Sequence, residues 1–292
     1  HNIYFGGLDF GSSGARITII NERKDIIYSS SNSKDYYLTK PKSWLLNCES
    51  LLSHIPYEIK QKLIRISVSG TSGTLLACQT NGYALGDAIP YNQTCDVNKK
   101  RLKSIAGTNE FLNNPFSGLA KALQLVDIYG HDILLRHQSD WISGWLMNNW
   151  LFGEEGNNIK LGWDIINNSW PESFRLNTWH NGLPEIKRSG LSLGIIKKKL
   201  VQKLKLNSNL LIVAGTTDSN AAYIASDIKQ DEGLSVLGTT LVLKKFIKEP
   251  VNYPGISIHR VGNEWICGGA SNAGCGVLSK FFSNSEIEDL SK

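Results

Sequence analysis

Two aspartates, far apart in the chain and each set in a turn of glycine and hydroxyl residues, are its chemistry-bearing feature: Leu8-Asp9-Phe10-Gly11-Ser12-Ser13-Gly14-Ala15-Arg16 and Gly215-Thr216-Thr217-Asp218-Ser219. Glycine and small hydroxyl residues let backbone N–H groups converge on an anion. A carboxylate beside that anion can hold the hydration shell of Mg²⁺ or accept a proton. A third such turn, Gly238-Thr239-Thr240, follows the second. Anion cradles joined to two acids are the groups needed to move a phosphoryl group from a nucleotide to an acceptor, a reaction governed by positioning and charge.

Each feature also has an ordinary reading. Asp9 ends a strand before a tight turn, as in many β-hairpins, and Arg16 is compatible with a surface ion pair as well as with a phosphate. Asp218 precedes a helix and suits an N-cap, a role that occupies one oxygen and leaves the other for a substrate hydroxyl. The Ser69–Gly73 segment and Tyr91-Asn92-Gln93 supply polar groups able to line a polyol pocket. His137, within His137-Gln138-Ser139-Asp140-Trp141, reads as a helix-start residue rather than a catalyst. The eight tryptophans fall mostly on helical stretches, where packing explains them.

The elements that must carry these turns can be read from periodicity. Residues 3–30 alternate as a three-stranded meander. Residues 41–63 have helical spacing, and the strand 64–68 ends in Ser69-Gly70-Thr71-Ser72-Gly73. A strand at 74–78 turns at Asn81-Gly82, a favoured hairpin dipeptide. The pattern from about 97 to 205 is mostly helical, with Ser139 the expected N-cap of the tryptophan-bearing segment. An apolar strand at 210–214 enters the second aspartate turn, and residues 220–228 read as a helix. Strand pairs follow at 234–247 and 256–268, with a helix at 274–282. Strands, helix and strands again suggest that a similar unit restarts near residue 226, giving residues 1–225, with a helical insertion, and 226–292 as the domains.

With 292 residues, the chain is expected to hold one complete domain and part of another. Its net charge of +5 is spread along the sequence, which implies no nucleic-acid partner. The run Lys197-Lys198-Lys199 alternates with leucine as the solvated face of a helix does. Five cysteines without a CxxC pair read as reduced thiols. Neither a membrane span nor a signal peptide is evident. The expectation is a cytoplasmic protein acting on a small molecule. A start at His1 and an end just after an acidic helical stretch suggest a truncated sequence.

Several segments together resemble the FGGY carbohydrate kinases: LDFGSSGAR (8–16), SGTSGTLLACQTNGYALGDAIPYN (69–92), HQSDWISGWL (137–146), LGWD (161–164), AGTTDSNAA (214–222), LGTTLVLK (237–244) and GGASNAG (268–274). Pro90-Tyr91-Asn92-Gln93 is similar to the short pentulose kinase branch, D-ribulose kinases in particular, rather than to the Trp-x-Asp element of many xylulose kinases. The resemblance implies an α/β, RNase H-like (actin-like ATPase) fold, with one near-complete domain and the start of a second, and ATP and Mg²⁺ as cofactors. It implies that Asp9 lies beside metal, γ-phosphate and substrate, and that Gly11, Ser12 and Ser13 form a first phosphate loop. Gly238, Thr239 and Thr240 would form the second. Ser72 and Asp218 would contact the sugar, with Asp218 the general base. The family's adenine-cupping Gly-Gly segment would lie beyond residue 292. D-Xylulose or another polyol is the alternative acceptor. A noncatalytic actin-like ATP switch and a sugar-binding regulatory protein are the alternatives of another class.

Overall fold

The computed structural model describes residues 2–237, 241–271 and 274–290. The chain forms two compact units, His1–Ser219 and Asn220–Lys292. The sequence places the restart near residue 226, a few residues later.

The first unit opens with a meander of β1 (Tyr4–Phe10), β2 (Ala15–Asn21) and β3 (Ile26–Asn32), paired antiparallel. Side chains alternate across a strand, so Leu8 and Phe10 enter the core while Asp9, between them, faces the other way. Helix α1 (Pro41–Ser53) carries proline in its first turn, where no N–H is missed, and buries Trp44, Cys48, Leu51 and Leu52. Pro56 then interrupts the helical pattern expected over 41–63, and a short α2 (Tyr57–Lys62) leads into β4 (Leu63–Gly70), parallel to β1.

There follow β5 (Leu75–Cys78), α3 (Lys99–Ala106), α4 (Gly118–Tyr129), β6 (Leu134–His137), α5 (Gln138–Met147), β7 (Phe152–Glu154), α6 (Glu155–Asn158) and α7 (Glu172–Arg175). Next come β8 (Glu185–Lys187), β9 (Ser192–Ile195), α8 (Lys198–Leu204) and β10 (Leu211–Val213). The stretch expected to be helical therefore holds four strands, β6 to β9, each of three or four residues and too short to print an alternation. Asn81-Gly82 turns the chain, with the Gly82 N–H donating to the Gln79 carbonyl, and antiparallel bridges Cys78–Ala84 and Leu75–Ile89 follow across the turn; the longer ladder of β5 is with β6. Ser139 lies inside α5, whose cap position is His137 and has no side-chain cap bond.

The main sheet has the order β3-β2-β1-β4-β10-β9, with β1, β4 and β10 mutually parallel. One core, including Leu8, Trp44, Val68, Trp141 and Ile212, packs on this sheet. A second, around β5, α3, α4, Phe174 and Trp179, fills the remainder of the unit. Edge-on contact of Trp44 with Trp141 at 5.9 Å joins α1 to α5.

The second unit, taken by itself, begins in α9 (Asp218–Ala225) just after its first turn. Its antiparallel sheet has the order β11-β12-β14-β13, built from β11 (Gly233–Leu237), β12 (Leu241–Ile247), β13 (Ile256–Val261) and β14 (Glu264–Ser271). Two short helices follow, α10 (Cys275–Leu278) and α11 (Asn284–Leu290), so the helix expected over 274–282 occupies only part of that span.

Two glycines permit backbone approaches that a side chain would block. A Cβ on Gly215, just past β10, would lie 2.2 Å from the Val68 carbonyl oxygen, and one on Gly118 would lie 2.4 Å from that of Lys160. Gly215→Ala must push the β10 exit away from β4. It should cost ~1–3 kcal/mol, the range for overpacking, measured by urea unfolding; an unchanged midpoint would show that the two strands are not held this closely.

Candidate active site

Three parallel strands end at one edge of the main sheet, and each runs directly into a polar turn. Asp9 on β1 is opposite Ser69 on β4, while Val213 on β10 is opposite Ser67. Continuing that register brings Gly215 level with Ser69 and Asp9. The first aspartate turn, the Gly70–Thr74 turn and the Gly215–Asp218 turn thus leave from the same carboxyl edge, where ligands bind in open α/β sheets. Two strand spacings separate the exits of β1 and β10, roughly 10 Å.

At the first exit Ser69 Oγ donates to Asp9 Oδ1 at 3.0 Å, and Arg16 Nε lies 3.2 Å from Oδ2. Arg16 and Asp9 side chains are 65% and 34% exposed. An ion pair this open is weak, so Arg16 can exchange the carboxylate for an incoming anion at little cost. The Gly11 N–H is committed to the Gly14 carbonyl at 2.9 Å. Gly11 therefore shapes the turn without being able to donate outward. Ser12 and Ser13 are exposed, and their backbone N–H groups have no partner among the described residues. Gly238, Thr239 and Thr240 lie outside the described residues.

At the third exit Asp218 is exposed and opens α9, its Oδ1 accepting the Ser219 N–H at 2.8 Å. The preceding Thr216 and Thr217 are buried, and Ser189 Oγ donates to the Gly215 carbonyl at 2.7 Å, anchoring the turn. Lys160 shares this neighbourhood, a residue the sequence did not single out. Burial pushes its ammonium below the ordinary lysine value, and the Asp218 carboxylate pulls it back up. The ammonium also lies 5.9 Å from the centre of the Phe111 ring. Between these exits, Ser72 Oγ is sealed from solvent and has no hydrogen-bond partner among the described residues.

Behind the turns lies a buried polar block. Glu154 caps α6, its carboxylate accepting the Gly156 and Asn157 N–H groups at 2.7 and 2.5 Å. Asp140 accepts the Glu154 N–H at 2.9 Å and Asn158 Nδ2 at 2.8 Å. Burial raises both carboxyls, Asp140 to about 6 and Glu154 to about 8, with the Asp140 charge adding to the rise at Glu154. Arg136, also buried, gives its protons to the carbonyls of Trp150, Leu135 and Gly182 at 2.6, 2.7 and 2.7 Å. Burial foremost, with the charges of Lys121, Lys160 and Arg136, lowers His137 to about 3, so the imidazole is neutral. Its place at a helix start, outside the candidate site, is the one the sequence suggested. No group of three or more His, Cys, Asp or Glu able to hold a metal occurs among the described residues.

Comparison with known proteins adds the fold's relatives. No family model matches the chain. It is 25% identical over 280 residues to a xylulose kinase of Lactococcus lactis, an alignment covering 86% of this chain and 55% of that one. The gluconate kinase of Lactobacillus acidophilus superposes with a TM-score of 0.79 at 17% identity, over 97% of this chain and 63% of that structure. Plasmodium falciparum glycerol kinase, solved with ADP, gives 0.77 at 18% identity over 99% and 66%. The fold is the actin-like α/β fold. The chain spans just over half the length of that curated relative. No helix among the described residues is long and apolar enough to cross a membrane.

The two buried carboxyls make stability depend on pH in a definite sense. A carboxyl raised by folding binds its proton more tightly in the native state, so stability falls as pH climbs from the ordinary carboxylate range toward the raised value. The lowered His137 acts oppositely, removing stability as pH drops below the ordinary histidine value. Above the ordinary histidine value the Asp140 contribution is largely spent and Glu154 still holds its extra proton, so unfolding midpoints should decline from there toward about pH 8. E154Q should flatten that decline; equal slopes in the two proteins would remove Glu154 as its source.

Proposed function

We propose that the protein is an ATP-dependent sugar kinase of the FGGY carbohydrate kinase family, phosphorylating a terminal hydroxyl of a small ketose, a pentulose such as D-ribulose. The observation that carries this reading is the emergence of Asp9, Ser72 and Asp218 from neighbouring turns at one carboxyl edge, with an ammonium, Lys160, within electrostatic reach of the exposed Asp218. The likeness to a xylulose kinase supports the reaction class and favours D-xylulose as the second candidate acceptor.

In this reading Asp218 accepts the proton of the attacking hydroxyl. Lys160 offers a positive charge within electrostatic reach of that carboxylate and a donor to a sugar oxygen. Ser72 supplies a hydroxyl whose unmet hydrogen bond costs about 1–3 kcal/mol if left so, and a rotation of its side chain outward lets a sugar hydroxyl satisfy it. Ser12 and Ser13 present backbone N–H groups to phosphate, and Arg16 moves from Asp9 onto the same anion. Asp9 is a lone carboxylate, which suits Mg²⁺, an ion normally bound through one or two carboxylates, water and phosphate oxygens. ATP supplies the transferable phosphoryl group and Mg²⁺ neutralises its charge; the protein's share is to hold the acceptor in line and take its proton. A noncatalytic ATP switch would have no use for a base aimed at a hydroxyl.

The test is coupled ADP release by the full-length protein with D-ribulose, D-xylulose, L-ribulose and glycerol. One pentulose should stimulate release, and Asp218→Ala should lose about 10²–10⁴-fold in rate while still folding, its stability lowered by no more than the ~1 kcal/mol that a helix-start hydrogen bond is worth. Release indifferent to all four, or an undiminished alanine variant, would sink the assignment. K160M removes a cation beside the base, so the acid limb of kcat/KM should move to higher pH; an unmoved limb would separate Lys160 from Asp218.

A further inference from the structure

The residues that hold the first aspartate turn against the Gly70–Thr74 turn form a single hydrogen-bonded line through the core of the first unit. The Tyr91 N–H meets Thr74 Oγ1 at 3.2 Å, and Thr74 Oγ1 lies 2.6 Å from Thr71 Oγ1. Thr71 Oγ1 donates to Gln138 Oε1 at 2.9 Å, and the Thr71 N–H donates to the same oxygen at 3.0 Å. Gln138 Nε2 donates to the Tyr36 hydroxyl at 3.1 Å, which donates in turn to the Gly11 carbonyl at 2.8 Å. Gln138 and Thr74 are fully buried, and Thr71 and Tyr36 nearly so.

The protons in this line have only one consistent order. Thr71 has a single hydroxyl proton, and Gln138 Oε1 can only accept, so that proton goes to Gln138. Thr74 must then be the donor in the Thr71–Thr74 contact, which leaves its oxygen free to accept from Tyr91. The Gln138 amide is fixed by the same logic, because a flipped amide would set NH₂ against the Thr71 N–H. Every link therefore points from Tyr91 toward Gly11. Buried bonds in series polarise one another, so losing one weakens the next.

We propose that Tyr36 and Gln138 are positioning residues, a buried strut that locks the Gly11 turn to the Thr71–Thr74 turn so that a change at either is felt at the other. Burial foremost, with the Asp9 charge assisting, pushes the Tyr36 hydroxyl up to about 12, so it remains the protonated donor the line requires. The strut has a further anchor, for the Gln138 N–H donates to the Thr74 carbonyl at 3.0 Å. Its consequence for catalysis rests on the phosphoryl-transfer reading above. Under that reading the strut fixes the distance between the phosphate-side and sugar-side turns, and both Tyr36 and Gln138 act without touching substrate.

Amide hydrogen exchange on the full-length protein tests the coupling whatever the protein phosphorylates. Tyr36 bonds to neither Thr71 nor Thr74, yet Y36F should speed exchange over residues 71–75 by about fivefold, the effect of one net hydrogen bond. T71V should do the same at the Gly11 amide, the N–H of that turn held by the Gly14 carbonyl, and T71S, which keeps the hydroxyl, should restore wild-type exchange. Unchanged exchange at the remote turn, or equal acceleration throughout β1, β2 and α1, would overturn the strut, the second result marking general loosening. Where a pentulose is phosphorylated, Y36F should also raise the sugar KM severalfold though it alters only the phosphate side. A wild-type protein that ignores every sugar would refute the kinase reading and leave the exchange result to judge the strut alone.

Discussion

The constraint on which the site depends is the close parallel pairing of β1, β4 and β10. Parallel strands deliver their carboxyl ends to one edge of a sheet, and a fixed register decides which residues emerge level with one another. Asp9 is level with Ser69, and the backbone at Gly215 presses so closely on the Val68 carbonyl that no side chain fits. A slip of one residue in β1 would turn Asp9 into the core and Leu8 out of it. Apolar burial of Leu8, Phe10, Val68 and Ile212 thus fixes the directions of the polar residues beside them.

The edge of the sheet is backed by polar groups that a simple oil-drop core would not contain. Arg136, Asp140, Glu154, His137, Gln138, Asn157 and Asn158 are all buried. Buried charge is costly unless bonded, and here the cost is contained in different ways. Arg136 is satisfied by backbone carbonyls, the two carboxyls by N–H groups and a raised affinity for protons, and His137 by staying neutral. The outcome is irregular backbone, over the short helix α6 and the turns around it, held in place where no long regular element runs. Such a scaffold gives directional constraint where apolar packing gives only adhesion.

Much of the framework was legible before any coordinates. The meander β1–β3 shows in its alternation, and the four strands of the second unit show in two apolar runs interrupted by turns. The glycine and hydroxyl turns drew attention to Asp9 and Asp218, and the sequence alone left each of them an ordinary reading as hairpin or helix-start residue. Elements below the length at which periodicity can be seen were not legible: β6 to β9 sit in a stretch that reads as helix, and β5, besides bridging across its own turn, finds its ladder partner some sixty positions along. Lys160 carries no local mark either. One lysine in Asn157-Asn158-Ile159-Lys160 looks like any other, and only the folded chain brings its ammonium within electrostatic reach of Asp218.

By itself the sequence determined five of the six strands of the main sheet, all but β9, together with the polar turns that end them and the residue types in those turns, because alternation and turn chemistry are local properties of the chain. Tertiary structure decided the partners: which turns share an edge, which lysine stands beside which aspartate, and that Tyr36 and Gln138, a hundred and two positions apart, join in one hydrogen-bonded line. Contacts of that separation follow from how strands pair and how buried donors find acceptors. Both are settled by the folded chain as a whole, and no stretch of residues encodes them alone.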